Sequence, residues 1–227
     1  MKGPSTATAL GGHTWTELAA GPRAIVVVPL GSCEQHGPHL PLDTDTRVAI
    51  ALCERLAGAR DRVLVAAPLA IGASWEHDGF PGLLSITSEL LAAVLIELGR
   101  SADWAAGLMF VNGHGGNGAG LRRAVETLRR DGRKVTSWSP RIPGGDAHAG
   151  ETETSLLLHL APDAVRPDRP VGYTGDLEQV VRSGVAAVSE NGILGDASEA
   201  TAARGAAVFE TLVDDLLAVH DLAFGAP

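Results

Sequence analysis

Three short segments of the chain concentrate side chains that bind metals and move protons. The first, GSCEQHGPHLPLDTD, sets Glu34, His36, His39, Asp43 and Asp45 within twelve positions. Glu34 and His36 are two apart, so in an extended segment both project from one face. The second, NGHGGN, places His114 among glycines, which let the backbone approach another group closely. HAGETETS is the third, with His148, Glu151 and Glu153 at the opening of a helical run. Together they offer imidazole nitrogens and carboxylate oxygens and no evident thiolate, a donor set that suits Zn2+, Mn2+ or Fe2+ rather than copper(I) or an iron–sulfur cluster. Two carboxylates and two imidazoles hold one such ion. A fifth, bridging ligand makes a site for two, about 3.5–4 Å apart and flanking an activated water.

Quieter roles are open to residues in the same segments. Asp45 can cap a helix, because its oxygen accepts orphan N–H bonds, and capping is compatible with metal binding. Glu151 suits the first turn of a helix as a charge favoured by the dipole. His39 and Asp43 read as loop-fixing or as partners of ligands, and Cys33, with no adjacent base, as packing. A further loop, GASWEHDGFPG, offers Glu76 and His77 as outer partners of the ligands and Trp75 and Phe80 as pocket walls. The chain has only nine aromatic residues, so two in one such loop favour an apolar or aromatic substrate.

These segments have to be carried to one place, and the pattern between them says how. Residues 24–30 (AIVVVPL) are a continuous β-branched run, as expected of a strand buried on both faces. Val48, Leu52 and Leu56 then recur at helical spacing, with a cap expected at Thr44 or Asp45. Residues 63–72 predict a second strand, and Leu90, Leu91, Val94, Leu95 and Leu98 the inner stripe of a second helix that Gly99 ends. A third strand is predicted at 107–113, a helix with Leu121, Val125 and Leu128 inward and Gly132 as its stop, and a fourth strand at 134–138. Alternation of this kind predicts α/β architecture, three layers with a mainly parallel central sheet. In such sheets ligands collect at the carboxyl ends of the strands, where all three segments fall. A Pro/Gly-rich loop precedes the HAG segment, a short helical run ends before Pro162, residues 162–198 show no regular pattern, and 199–224 predict a long helix.

The 227 residues carry a net charge of −9 and are 45% hydrophobic, enough for one full core without disulfides. A single domain over 1–227 is expected. This acidic balance gives no electrostatic footprint for nucleic acid or an anionic membrane, both of which need clustered Lys and Arg, and no run reaches the ~20 apolar residues that span a bilayer. Two cysteines outside any CxxC pair and an N-terminus unlike a secretory signal predict a soluble, cytoplasmic protein.

The segment GSCEQHGPHLPLDTDT, followed by VNGHGGN and HAGETETS, resembles the creatininase family of metal-dependent amidohydrolases in order, loop placement and chemistry. LPLDTDTR, GGDAHAGETETSLLLHL and GVAAVSENGILGD look like the peptidase branch that serves mycofactocin systems. This resemblance implies a creatininase-like fold, a homo-oligomer, and a divalent metal centre, two ions per chain, of zinc, iron or manganese. It aligns Glu34, His36, Asp45, His114 and Glu153 with ligand positions, Asp45 with the bridging one and His148 with a proton shuttle, and it makes Glu34 catalytic as well. The implied substrate is a modified precursor peptide, cleaved to release a fragment built from its last two residues, Val and Tyr; the alternative is a cyclic amide or formamide. One departure stands out. Creatininase carries a ligand Glu two residues after the NGH histidine, where this chain has Gly116, and Glu153 is the replacement that the resemblance supplies.

Overall fold

The computed structural model describes residues 8–225. Its sheet consists of β1 (Ile25–Leu30), β2 (Val63–Val65), β3 (Gly107–Asn112) and β4 (Val135–Trp138), all parallel, in the order β2-β1-β3-β4. β1 and β3 are central, which explains why both read as unbroken apolar runs: whichever way a side chain points, it meets a helix. Ile25 pairs with Gly107 and Leu30 with Asn112, so the two strands end level.

On one face Val27, Met109 and Val111 pack against α2 (Thr44–Ala59), α5 (Glu151–Leu160) and α7 (Ala202–Phe224) through Leu52, Leu56, Leu157, Leu212 and Leu216. On the other, Val26, Val28, Leu108 and Phe110 meet α3 (Ser88–Ser101) and α4 (Gly118–Arg130) through Leu91, Leu95, Leu121, Val125 and Leu128. This is the three-layer α/β/α arrangement. Each fully buried leucine contributes about 1.5–3 kcal/mol of transfer free energy. The remaining helices are α1 (Trp15–Ala20), capped by Thr14, and α6 (Leu177–Ser183), capped by Asp176.

Several boundaries differ from the sequence expectation. β2 stops at Val65; after a last bond from the Ala66 N–H to the Val27 carbonyl the chain pairs with β1 again at Leu69, and Pro68 between them has no N–H to give to a ladder. In α3 the buried positions are Leu91, Ala92, Leu95 and Gly99, while Leu90 and Leu98 face outward. Gly99 does not end that helix. It sits inside, where a Cβ would collide with Leu128 of α4. α2 has Asp43 at its N-cap position, without a side-chain capping bond, so Asp45 lies in the first turn and its carboxylate is free for other work. The last helix begins at Ala202 behind a Thr201 cap rather than at 199.

β1 sends the chain across α2 toward β2, whereas β3 sends it across α4 toward β4 on the opposite side. The loops leaving these two adjacent strands therefore diverge and open a crevice between them. Glu34 and His36 are on the first loop and His114 on the second.

Candidate metal centre

The loop after β1 folds back on itself. Gly37, at φ +67, makes the turn, His36 bridges Leu40, and the Glu34 N–H donates to the Leu42 carbonyl at 3.1 Å. This carries Glu34 and His36 over the sheet edge beside the first turn of α2, where Ser32 Oγ donates to Asp45 Oδ2 at 2.8 Å. His114 is set at the end of β3 by Asn112, whose amide donates to the His114 carbonyl at 2.7 Å and whose Oδ1 accepts from its N–H at 3.3 Å. His148 pairs with Leu194 in an isolated antiparallel bridge, and the Glu153 carboxylate accepts from the Ala149 N–H at 2.6 Å.

All five expected ligands and His148 meet in one centre. Glu34, Asp45 and His114 form one group and His36, His148 and Glu153 another, each with ligand atoms within 4.8 Å of one another. Asp45 reaches both: Oδ2 lies 3.0 Å from His114 Nδ1 and Oδ1 lies 3.2 Å from His36 Nε2. Glu151 is outside, half-exposed and 3.8 Å from Arg204. His39 contacts Thr154 Oγ1 at 2.7 Å and Asp43 pairs with Arg47 at 2.6 Å, so both fix their surroundings. Cys33 packs near the Gly82 carbonyl.

The imidazoles are oriented as metal ligands are. One ring nitrogen of each faces a main-chain carbonyl, His36 Nδ1 that of Glu34 (3.2 Å), His114 Nε2 that of Ala73 (3.1 Å) and His148 Nε2 that of Gln35 (2.8 Å). The other nitrogen is turned toward the carboxylates. Both Glu34 oxygens are buried without an aligned hydrogen bond, although His77 Nε2 and His114 Nδ1 each approach Oε1 to 3.2 Å. A buried carboxylate left in that state is costly, and donor atoms that converge without hydrogen-bond alignment fit a cation held among them.

Electrostatics agree. Burial works to lower the His36 pKa, but Asp45, then Glu153 and Glu34, outweigh it and raise it to about 9. His114 is raised well above its ordinary value: burial opposes, while Asp45, Glu34 and Glu76 prevail. Burial would raise Asp45, yet His36 and His114 hold it well below the carboxylate range. Burial lifts Glu153 to about 7, aided by Asp45 and Glu34 against His36. The cluster demands positive charge, and divalent ions supply it. His148 is the exception, held far down by burial and by His36 and His77, and therefore neutral.

The centre faces a cavity of about 810 Å3 whose outer lining includes Trp75, Asp78, Val180, Val181 and Val185. Phe80, expected as a wall, packs instead with Val180, Val185 and Leu194 beneath α6. A Cβ at Gly116 would collide with the Ala73 carbonyl, Glu76 Oε1 and His114 Nε2, so the space a side chain would need there is already taken. His77 stands closer to Glu34 than its sequence position suggested, and Gln35, buried between two ligands, carried no sequence signal of a role beyond its place in the EQHGP string.

Comparison with known proteins points the same way. The family model described as Creatininase: Creatinine amidohydrolase matches residues 12–220. The chain is 50% identical over 222 residues, 91% of its length and 88% of the other, to a mycofactocin precursor peptide peptidase of Mycobacterium tuberculosis. It is 30% identical over 198 residues, 72% and 76% of the two lengths, to a creatinine amidohydrolase of Pseudomonas putida. A creatininase variant described as Zn-Zn type superposes with a TM-score of 0.76 at 26% identity, covering 96% of this chain and 99% of that one. With the family model spanning nearly the whole chain and the motifs gathered around one centre, the chain belongs to the creatininase family of amidohydrolases.

Proposed function

We propose that this chain is a divalent-metal peptidase that hydrolyses an amide bond in a modified precursor peptide, releasing a fragment built from its terminal Val and Tyr during maturation of a redox cofactor. The observation that carries the reading is the pair of donor groups sharing Asp45 at the floor of a cavity large enough for a peptide terminus. Identity supports the substrate class: 50% to the peptidase against 30% to the creatinine amidohydrolase. Gly116, where creatininase has a ligand Glu, also weighs against the cyclic-amide alternative.

In this reading Glu34, Asp45 and His114 hold one ion and His36, Asp45 and Glu153 the other, with zinc, iron or manganese as the metal. Bound there, the ions supply Lewis-acid polarisation of the scissile carbonyl and lower the pKa of water. Glu34 keeps its carboxylate against the reacting centre. His148, neutral and with Nδ1 turned inward, accepts a proton there and passes it to the leaving nitrogen. Trp75 and Val181, both exposed at the cavity, take the apolar part of the peptide, and a rigid terminus placed between them gains the orientation that a flexible one loses.

No described helix is long and apolar enough to cross a membrane. A single-domain, cytoplasmic subunit of a homo-oligomer completes the proposal, supported by two free cysteines and by exposed Trp15, Leu90 and Leu222. The test is mass spectrometry of modified peptide, unmodified peptide and creatinine under identical metal loading, with elemental analysis of the same sample. Cleavage of the modified peptide alone, with one or two transition ions per chain and loss of turnover on chelation, is expected. Fastest turnover of creatinine, or full activity without metal, overturns the proposal.

A further inference from the structure

Gln35 is buried between Glu34 and His36, and its surroundings accept only one orientation of its amide. The Gly37 N–H donates to Oε1 at 2.8 Å, and Nε2 donates to the Gly192 carbonyl at 2.9 Å. Turning the amide over would set donor against donor at Gly37 and acceptor against acceptor at Gly192. Nε2 has one hydrogen left and two imidazole nitrogens near it, His77 Nδ1 at 2.9 Å and His148 Nε2 at 3.1 Å. His148 Nε2 is the closer partner of the Gln35 main-chain carbonyl, at 2.8 Å, and donates there, so it cannot also accept from the amide; His77 Nδ1 is the bare acceptor, which leaves the His77 proton on Nε2, 3.2 Å from Glu34 Oε1. His148 is settled by the same residue. Its Nε2 lies 2.8 Å from the Gln35 main-chain carbonyl, which only accepts, so Nε2 carries the proton and Nδ1 is bare.

We propose that Gln35 is a positioning residue that fixes both tautomers, so that His77 presents an N–H to Glu34 and is not a metal ligand, whereas His148 presents a lone pair to the centre. Glu34, His77 and His148 are spaced closely enough to hold an ion, and the amide of Gln35 denies them that use. A ligating His77 Nε2 would need its proton on Nδ1, opposed to an amide donor. What His77 does instead is set the positive end of its N–H beside a carboxylate that has no aligned hydrogen bond, holding Glu34 in place. The functional meaning rests on the metal-peptidase reading; the tautomers do not.

The experiment is NMR of the zinc-loaded protein with isotope-labelled histidine, where correlations from carbon-bound ring hydrogens distinguish protonated from bare nitrogens. Both His77 and His148 are expected to carry the proton on Nε2. Gln35→Glu, nearly the same size, removes the amide hydrogens and should move the His77 proton to Nδ1, with kcat down about tenfold to a hundredfold, KM little changed and zinc retained. His77→Gln, which keeps an N–H near that position, should recover the larger part of the activity that His77→Ala loses. A proton on His77 Nδ1 in the wild-type protein overturns the proposal whatever the activity, and so does an unchanged tautomer in Gln35→Glu. A wild-type protein with the expected tautomers but no peptide cleavage would instead overturn the functional reading and leave this one standing.

Discussion

Asp45 is the residue on which the centre turns, because its two oxygens face two different imidazoles while the rest of its surface is buried. A side chain in that position can serve both ions, because it lies against His114 on one side and His36 on the other. Asp45→Ala should therefore lower metal content to less than one ion per chain and cut kcat/KM about a hundredfold or more, since even partners of ligands cost 10–100-fold. Glu151→Ala, two residues from Glu153 and half-exposed near Arg204, should stay within about twofold. Elemental analysis and peptide turnover on the two variants check this, and equal losses would mean that Glu151 rather than Glu153 of HAGETETS serves the metal. The ligand types were legible in the sequence because chemistry restricts them to His and carboxylates. The tautomers were not, since they depend on Gly192, which is 157 positions from Gln35.

At the scale of elements, β1 and β3 could be read directly because burial on both faces leaves only apolar residues, and the register that makes them end level puts both functional loops on one rim. α3 was harder. Its leucines at 90, 91, 95 and 98 all fit a helical period, and only packing on α4 selects Leu91 and Leu95. Residues 162–198 were illegible for a different reason: apart from the short α6, their order comes largely from single bridges, Leu194 to His148 and Asp196 to Val171, and from the cluster that Phe80 joins, none of which leaves a local pattern. Helix contact also decides where glycine is required. α7 lies so close to α5 that a Cβ on Gly205 would collide with the Ser155 main chain, which cannot move aside as a side chain would. Gly205→Ala would stabilise an isolated helix by about 1 kcal/mol, but here overpacking should win and destabilise by about 1–3 kcal/mol. Thermal unfolding should show a melting temperature lower by roughly 2–10 °C for a chain of this length, together with weaker metal retention, because α5 carries Glu153. A higher melting temperature would mean that the two helices have room to separate.

Across the whole molecule the functional rim and the opposite end of the sheet are built on different physics. The rim holds buried charges that are unfavourable without a cation, whereas the far end is closed by conventional pairing. There Arg60, just past α2, grips Asp221 of α7 with two bonds, Nε to Oδ1 at 2.7 Å and Nη2 to Oδ2 at 2.6 Å, and His220 Nδ1 lies 3.1 Å from the same carboxylate. This clasp joins positions 161 apart in sequence and fixes the end of the helix that supports α5. Hydrogen bonding from Arg60 is the main cause that brings the Asp221 pKa down to about 2, with burial opposing it and His220 adding to it. The unfolded chain should titrate near 3.9, so the native state binds fewer protons between about pH 2 and 4, and stability from this group rises with pH across that window. Its contribution is complete above about pH 4 and vanishes as pH falls through about 2. Both side chains are partly exposed, so solvent screening limits the effect to about 1 kcal/mol. Asp221→Asn should lose that amount at pH 7 in urea unfolding, and the gap from the wild-type protein should narrow steadily from about pH 4 downward. A gap independent of pH would mean that Asp221 acts through shape rather than charge, and that the two ends of the molecule do not differ in the way their electrostatics indicate.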